Sequence, residues 1–183
     1  MSFRSGSYRI GPSTGHLRLL TTRDGLAARV GHDLTISVDD WSGVIEIRDA
    51  ATPVASVTVT IRLASMIVLA GTGGVAPLSA SDRRDIRDTA LRLLDAASYP
   101  EAGFAAPDVP VADQGRLPGT LTLRGVPSPV TLDVARADGD TWTASATVRQ
   151  TDFGITPYRA FFGALKLADA VTIAASVTLR TEA

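Results

Sequence analysis

Apolar and polar residues alternate along most of this chain, and the alternation is clearest over residues 117–134. Leucine or valine occupies every second position on both sides of a short interruption, with threonine, arginine or aspartate between. A period of two is typical of strands that bury one face and wet the other. Gly125, Pro127 and Pro129 interrupt the pattern, because glycine tolerates positive φ and proline fixes φ and lacks an N–H. The segment is therefore predicted to form a β-hairpin with one apolar face.

The same alternation predicts strands before and after this hairpin. They cover residues 8–10, 16–20, 26–38, 41–48, 54–63, 104–111, 141–148 and 171–179. Two long connections lack the alternation: the Gly-rich stretch 65–78 and the phenylalanine-rich stretch 151–169. Both are predicted to be irregular loops.

One segment changes to a helical period. Within residues 79–94, Ile86, Ala90 and Leu94 lie four apart, as expected for one face of an α-helix. Ser79 followed three residues later by Asp82 resembles a capping pair at the helix N-terminus. A single helix is therefore predicted, inserted between two strands.

These elements predict an all-β fold: an antiparallel, lipocalin-like β-barrel of about eight strands with one inserted α-helix, or else a sandwich. The 183 residues are expected to form one domain, 1–183. Only 5% of the chain is aromatic, so the valine, leucine, isoleucine and alanine side chains of a barrel would leave its axis incompletely filled. The alternative is that these side chains, the helix and the phenylalanine-rich loop together fill the interior.

Composition narrows the function classes. The formal net charge is −1, from 18 Lys plus Arg against 19 Asp plus Glu, which disfavours a nucleic-acid partner. The absence of cysteine excludes disulfides, thiolate ligands and cysteine nucleophiles. The first residues lack the apolar core of a secretory signal and no run approaches the length of a transmembrane helix. We therefore expect a soluble cytoplasmic protein.

Few residues suggest chemistry, and none does so strongly. Ser13 lies at the centre of GPSTG, the nucleophile-elbow pattern, but a strand follows it where an elbow requires a helix. His32 and Asp33 are adjacent on a predicted strand and so point to opposite faces, which makes a poor metal chelate. His32 is better interpreted as a hydrogen-bonded structural residue or a polar group at the mouth of a pocket. No cofactor and no metal site are predicted.

Four segments together resemble a known family. They are VGHDLTISVDDWSG at 30–43, DRRDIRDTALRLLDAASYPEAGF at 82–104, LPGTLTLRGVPSPVTLDV at 117–134 and FGITPYRAFFGALKLADAVTI at 153–173. In order and spacing they are similar to the YceI-like proteins, lipocalin-like barrels associated with binding polyisoprenoid or quinone-type lipids. The resemblance implies an elongated apolar tunnel capped near the helix, is compatible with a homodimer, and implies no catalytic set.

The leading hypothesis is therefore a non-catalytic carrier of a long apolar lipid, either a polyisoprenoid or an isoprenoid quinone. Alternation places the following residues in the predicted lining: Leu34, Ile36, Val57, Val59, Ile61, Leu121, Leu123, Val130, Leu132, Ile173 and Val177. Ile86, Leu94, Phe161 and Phe162 are expected near an opening, with His32 at the mouth. Two alternatives stay open: a hydrolase-type enzyme that uses His32 with Asp33, or Ser13, on an apolar substrate, and a filled barrel that serves as an interaction module.

Overall fold

Backbone hydrogen bonds join twelve strands into one antiparallel sheet in the computed structural model, which describes residues 5–48 and 54–180. The first six strands are β1 Gly6–Ile10, β2 Gly15–Asp24, β3 His32–Val38, β4 Trp41–Arg48, β5 Val54–Arg62 and β6 Met66–Gly73. After helix α1 at Ala80–Leu93 come β7 Glu101–Pro110, β8 Gln114–Leu123, β9 Val126–Asp138, β10 Thr141–Arg149, β11 Arg159–Ala160 and β12 Leu165–Thr178.

The sheet curls into a half-barrel and stays open. Its strands follow the order β1-β4-β5-β7-β8-β9-β10-β12-β2-β3-β6, with the short β11 paired only to β12. Within the described ranges the two end strands, β1 and β6, do not pair with each other. The prediction of an antiparallel all-β fold with one helix is confirmed, but the sheet has twelve strands in a half-barrel instead of about eight in a barrel.

Strand β6 was missed by the alternation because it is apolar on both faces. Met66 and Val68 are buried in the core, but Ile67 and Leu69 on the opposite face are also large and apolar, and both are partly exposed. The strand pairs with β3 from Met66 to Gly73, where the sequence pattern predicted a loop. A β-carbon on Gly71 would collide with Leu78, so one of the glycines that suggested a loop instead permits close packing.

Two other elements differ from the predicted boundaries. Residues 28–30 form a 3₁₀ turn instead of the first part of a strand. Strand β7 continues through Pro107, because the pairing with β5 shifts there: Val57 faces Ala106 while Ala55 faces Val109. An irregularity in the ladder accommodates a residue that cannot donate a hydrogen bond.

Helix α1 begins with a complete capping box. The Ser79 hydroxyl accepts a hydrogen bond from the Asp82 N–H at 3.1 Å, and the Asp82 carboxylate accepts one from the Ser79 N–H at 2.8 Å. The Ser79 hydroxyl also donates to the Asp82 carboxylate at 2.7 Å, and this bond, followed by the one from the Ser79 N–H, holds the pKa of Asp82 below its usual range. The predicted helix and its capping pair are confirmed.

Arginines of α1 tie the helix to the open edge of the sheet. Arg83 donates to the carbonyl of Leu69 at 2.8 Å, and Arg87 donates to the carbonyls of Met66 at 2.9 Å and Ala64 at 2.6 Å. These carbonyls lie on or next to β6, the strand with a free edge. Covering an exposed edge in this way satisfies its acceptors and discourages pairing with other chains. These bonds hold the helix at the β6 edge of the half-barrel.

Candidate functional site

A cavity of about 430 Å³ lies between helix α1 and the concave face of the sheet. The sheet contributes residues of β2, β3, β5, β6, β7, β8, β10 and β12 to its wall. Helix α1 contributes Asp85, Ile86, Thr89, Ala90 and Leu93, and its C-cap Leu94 also lines the cavity. The side chains at the surface of the cavity are mostly apolar. Volume and lining are typical of sites for small apolar molecules.

Polarity changes along the cavity from one end of β2 and β3 to the other. The lining residues are, in order, Leu17, Leu19, Thr21 and Arg23 on β2, and Val38, Ile36, Leu34 and His32 on β3. Register confirms the match, since Leu17 faces Val38 and Thr21 faces Leu34. Because alternate residues of a strand face the same side, these eight side chains all face the cavity. The cavity is therefore apolar at the end beside Leu17 and Val38 and polar at the end beside Arg23 and His32. We call the polar end the mouth.

Charged groups at the mouth are mostly matched by partners. Arg23 donates to the carbonyl of Gly31 at 2.6 Å and lies 3.8 Å from the Asp33 carboxylate. The Lys166 ammonium lies 3.7 Å from a carboxylate oxygen of Asp24. His32 Nε2 is hydrogen-bonded to the carbonyl of Ala76 at 2.9 Å. The mouth thus offers polar atoms without a concentrated positive charge, an arrangement that suits a neutral head group better than an anionic one.

One polar group lies further inside. Thr21 is only 7% exposed, and its hydroxyl has no hydrogen-bond partner among the residues that the structure describes. Its register partners on the neighbouring strands, Leu34 and Val171, are apolar and also line the cavity. A buried hydroxyl without a hydrogen-bond partner destabilises the folded state, so the Thr21 hydroxyl lowers the free energy of unfolding.

A 3₁₀ turn at Gln150–Phe153 carries a large aromatic side chain into the wall. Gln150 donates to the carbonyl of Ala168 at 2.9 Å. The Asp169 carboxylate accepts hydrogen bonds from the Thr151 hydroxyl at 2.7 Å and its N–H at 2.9 Å, which lower the pKa of Asp169. These bonds attach the turn to β12, and Phe153 is consequently 1% exposed.

The structure brings part of the predicted lining together. Residues of that set in the cavity wall are Leu34, Ile36, Ile61, Ile86, Leu94, Leu121, Leu123 and Ile173, together with His32 at the mouth. Val57, Val59, Val130, Leu132 and Val177 do not line the cavity and instead pack against the surrounding apolar clusters. Phe162 is fully exposed, and the side chain of Phe161 lies outside the described part.

Several lining residues were not predicted. Leu17, Leu19 and Thr21 belong to an alternating strand that the sequence pattern did identify, so their inward face could have been included. Phe153 and Ile155 lie in a stretch without periodicity, and no local pattern marks them. The cavity therefore depends on long-range contacts that alternation alone does not reveal.

The residues considered for catalysis do not meet. Ser13 precedes β2 and is exposed, whereas His32 begins β3 beside the far end of β2. The ten residues of β2 span about 33 Å at 3.3 Å per residue. Asp33 accepts a hydrogen bond from the N–H of Arg23 at 2.8 Å, which engages one of its oxygens in the sheet. No specific observation therefore favours hydrolysis.

The fold and the cavity together define a class: a curved antiparallel sheet enclosing an apolar binding cavity beneath a helix. A model of the YceI-like domain matches residues 8–179, so the chain belongs to the YceI-like family and the resemblance noted above is confirmed. No curated protein sequence matches the chain significantly. No helix of the described ranges combines the length and apolar character needed to cross a bilayer.

Solved structures of this fold include two bacterial proteins. Burkholderia cenocepacia BcnA is 18% identical, with a TM-score of 0.67, and the match covers 94% of this chain and 99% of that protein. A Campylobacter jejuni YceI protein that crystallizes with large solvent channels is 20% identical, with a TM-score of 0.57. That match covers 80% of this chain and 85% of the Campylobacter jejuni chain. At these identities the likeness establishes the fold alone.

Proposed function

We propose that this protein binds and carries a lipid with a long apolar chain, of the polyisoprenoid or isoprenoid-quinone type. The observation that supports the proposal is the apolar cavity of about 430 Å³ enclosed by the half-barrel and α1. Each Å² of apolar ligand surface removed from water there contributes about 25 cal/mol to binding. Membership of the YceI-like family supports the same class of ligand. The protein performs no catalysis in this function.

The mouth determines how such a ligand is oriented. An apolar tail is stabilised among Leu17, Ile36 and Val38, and a polar head is stabilised beside Arg23 and His32. Because the charges at the mouth are largely matched, the preferred head group is neutral.

The test is ligand recovery followed by ligand uptake. Protein purified without added lipid is extracted with organic solvent and the extract analysed by mass spectrometry, which is expected to yield an isoprenoid lipid. The delipidated protein is then titrated with a fluorescent apolar probe, and saturable binding that a long-chain quinone displaces is expected. Recovery of no lipid together with no saturable uptake would contradict carriage, and would favour an interior unable to accept a ligand.

A further inference from the structure

Three loops converge around the mouth of the cavity. They comprise residues 24–31, residues 74–79 and residues 158–166, of which the last includes the short β11 and the first residues of β12, and we call them the mouth loops. The N–H of Ala27 donates to the carbonyl of Ala164 at 2.8 Å, joining the first loop to the third. His32, directly after the first loop, is hydrogen-bonded to Ala76 of the second. The mouth loops therefore form one continuous surface around the entrance.

The most exposed large apolar side chains of the described residues lie on this surface. Leu26 and Phe162 are fully exposed and Val75 is 83% exposed. Exposed apolar residues elsewhere, such as Ile67 at 46%, keep at least half of their surface covered. Phe162 also adopts a positive φ of 56°, an uncommon conformation for a bulky residue. Three protruding apolar groups on adjacent loops mark an interaction surface.

The mouth loops also carry a net positive charge. Arg29, Arg159 and Lys166 stand against Asp24 alone, and Asp24 is already paired with Lys166. Arg29 and Arg159 are exposed, and neither has an ion-pair partner within the described residues. The first two turns of α1 add equal numbers of acidic and basic residues, Asp82 and Asp85 with Arg83 and Arg84.

We propose that the mouth loops dock on the surface of an anionic lipid bilayer. Leu26, Val75 and Phe162 insert among the acyl chains just below the head groups, while Arg29 and Arg159 pair with anionic lipids. A second copy of the chain fits this face less well, because it would bring like-charged arginines together. Docking places the mouth against the membrane, so an apolar ligand enters or leaves without crossing water.

The test is co-sedimentation of the full chain with two kinds of vesicle, pure phosphatidylcholine and an equimolar mixture of phosphatidylcholine and phosphatidylglycerol. The wild type is expected to bind the mixed vesicles more strongly. The double variant Leu26→Ser with Phe162→Ser is expected to bind both kinds about tenfold more weakly, since it removes two apolar side chains. Arg29→Gln with Arg159→Gln is expected to lose only the preference for the mixed vesicles, by about tenfold.

A matched control is Ile67→Ser with Val44→Ser, which removes exposed apolar groups on strands β6 and β4, outside the mouth loops. It is expected to bind vesicles like the wild type. Uptake of the fluorescent probe by each variant reports whether the cavity has kept its fold. Absence of wild-type vesicle binding, or equal binding by the Leu26/Phe162 variant, would overturn the proposal. A concentration-dependent dimer that this variant abolishes would instead identify the face as a contact between copies.

A separate observation inside the cavity carries a second inference, which rests on the proposed function. Thr21 is more than nine-tenths buried, lines the cavity and has no hydrogen-bond partner within the described ranges. The hydroxyl itself is buried, and we infer that rotation about χ1 turns it toward the cavity, where it donates a hydrogen bond to a carbonyl or ether oxygen of the ligand. Thr21 lies two residues from Arg23, so this oxygen sits about 7 Å inside the mouth.

The variant Thr21→Val tests this, because it keeps the β-branched shape and removes only the hydroxyl. Displacement of the fluorescent probe is measured with an n-alkane and with a methyl ketone of equal chain length. The wild type is expected to prefer the ketone, and Thr21→Val is expected to lose about three- to tenfold of that preference while retaining alkane affinity. Its ligand-free unfolding midpoint is expected to equal or exceed that of the wild type.

The results of these probe titrations distinguish the role inferred for Thr21 from the proposed binding of a lipid. Alkane binding without any ketone preference in the wild type would overturn the role of Thr21 and leave carriage standing. Equal ketone preference in Thr21→Val, or a lowered unfolding midpoint, would assign the hydroxyl a structural role only. Failure of the wild type to bind either probe would overturn both.

Discussion

Phenylalanine in place of Ala90 is expected to block ligand uptake while leaving the protein folded. Ala90 lies on the face of α1 that lines the cavity, and the ring would extend into that space. Displacing about 60 Å² of ligand contact costs about 1.5 kcal/mol at 25 cal/mol per Å², which is about a tenfold loss of affinity. Titration with the fluorescent apolar probe measures the loss, and urea unfolding measures the stability.

The stability measurement distinguishes a hollow interior from a filled one. An added ring in a filled core forces neighbouring side chains apart and costs about 1–3 kcal/mol of unfolding free energy. In the open cavity we expect a change below about 1 kcal/mol, part of it from the weaker helix propensity of phenylalanine. Ala80→Phe on the exposed first turn of the same helix is the matched control. Wild-type uptake by Ala90→Phe, or a large loss of stability, would argue against the cavity as the binding site.

Phe153→Ala is expected to cause the largest loss of stability, about 3–5 kcal/mol. Phe153 is 1% exposed and packs against the cluster of Phe104, Leu117 and Leu121. Its removal leaves a void that the hydrogen-bonded turn before it prevents from collapsing. Since domains of this kind have about 5–15 kcal/mol of total stability, the loss is a large fraction of the whole.

The control for Phe153→Ala is Phe162→Ala, which makes the same substitution at a fully exposed position. Its unfolding free energy is expected to stay within about 0.5 kcal/mol of the wild type. Equilibrium urea unfolding compares the two variants directly. Similar losses in both, or a loss below about 1 kcal/mol in Phe153→Ala, would show that the turn does not anchor the core.

The pattern of apolar and polar residues correctly predicted those strands and that helix in which one face is buried and the other is exposed. Strand β3 buries Ile36 and Val38 on its inward face and leaves polar residues between them, and α1 begins at the capping pair that its sequence indicates. Strand β6 lacked this contrast, because Ile67 and Leu69 are as apolar as the buried Met66 and Val68. Prediction from one sequence therefore succeeds where burial differs between faces and fails where it does not.

The cavity was harder to predict than the sheet. Alternation indicates which face of a strand is apolar, but not which part of that face reaches the cavity: Ile61 lines it, whereas Val57 on the same strand packs into the surrounding core. Closure could not be predicted either, because it depends on whether β1 and β6 meet, which lies beyond any local pattern. Phe153 lies in a stretch without periodicity, and long-range bonds between its turn and β12 help to hold it in the wall.

The attachment of α1 has a mechanical consequence for the cavity. None of the described helix residues is fully buried, and arginine bonds to the carbonyls of Met66 and Leu69 hold the helix to the sheet. The opposite side is a continuous hydrogen-bonded ladder, which resists bending. Of these two walls, the one formed by helix α1 is therefore expected to yield first when the volume of the cavity has to change. The reach of two arginine side chains then sets how far that wall moves before its bonds to the sheet break.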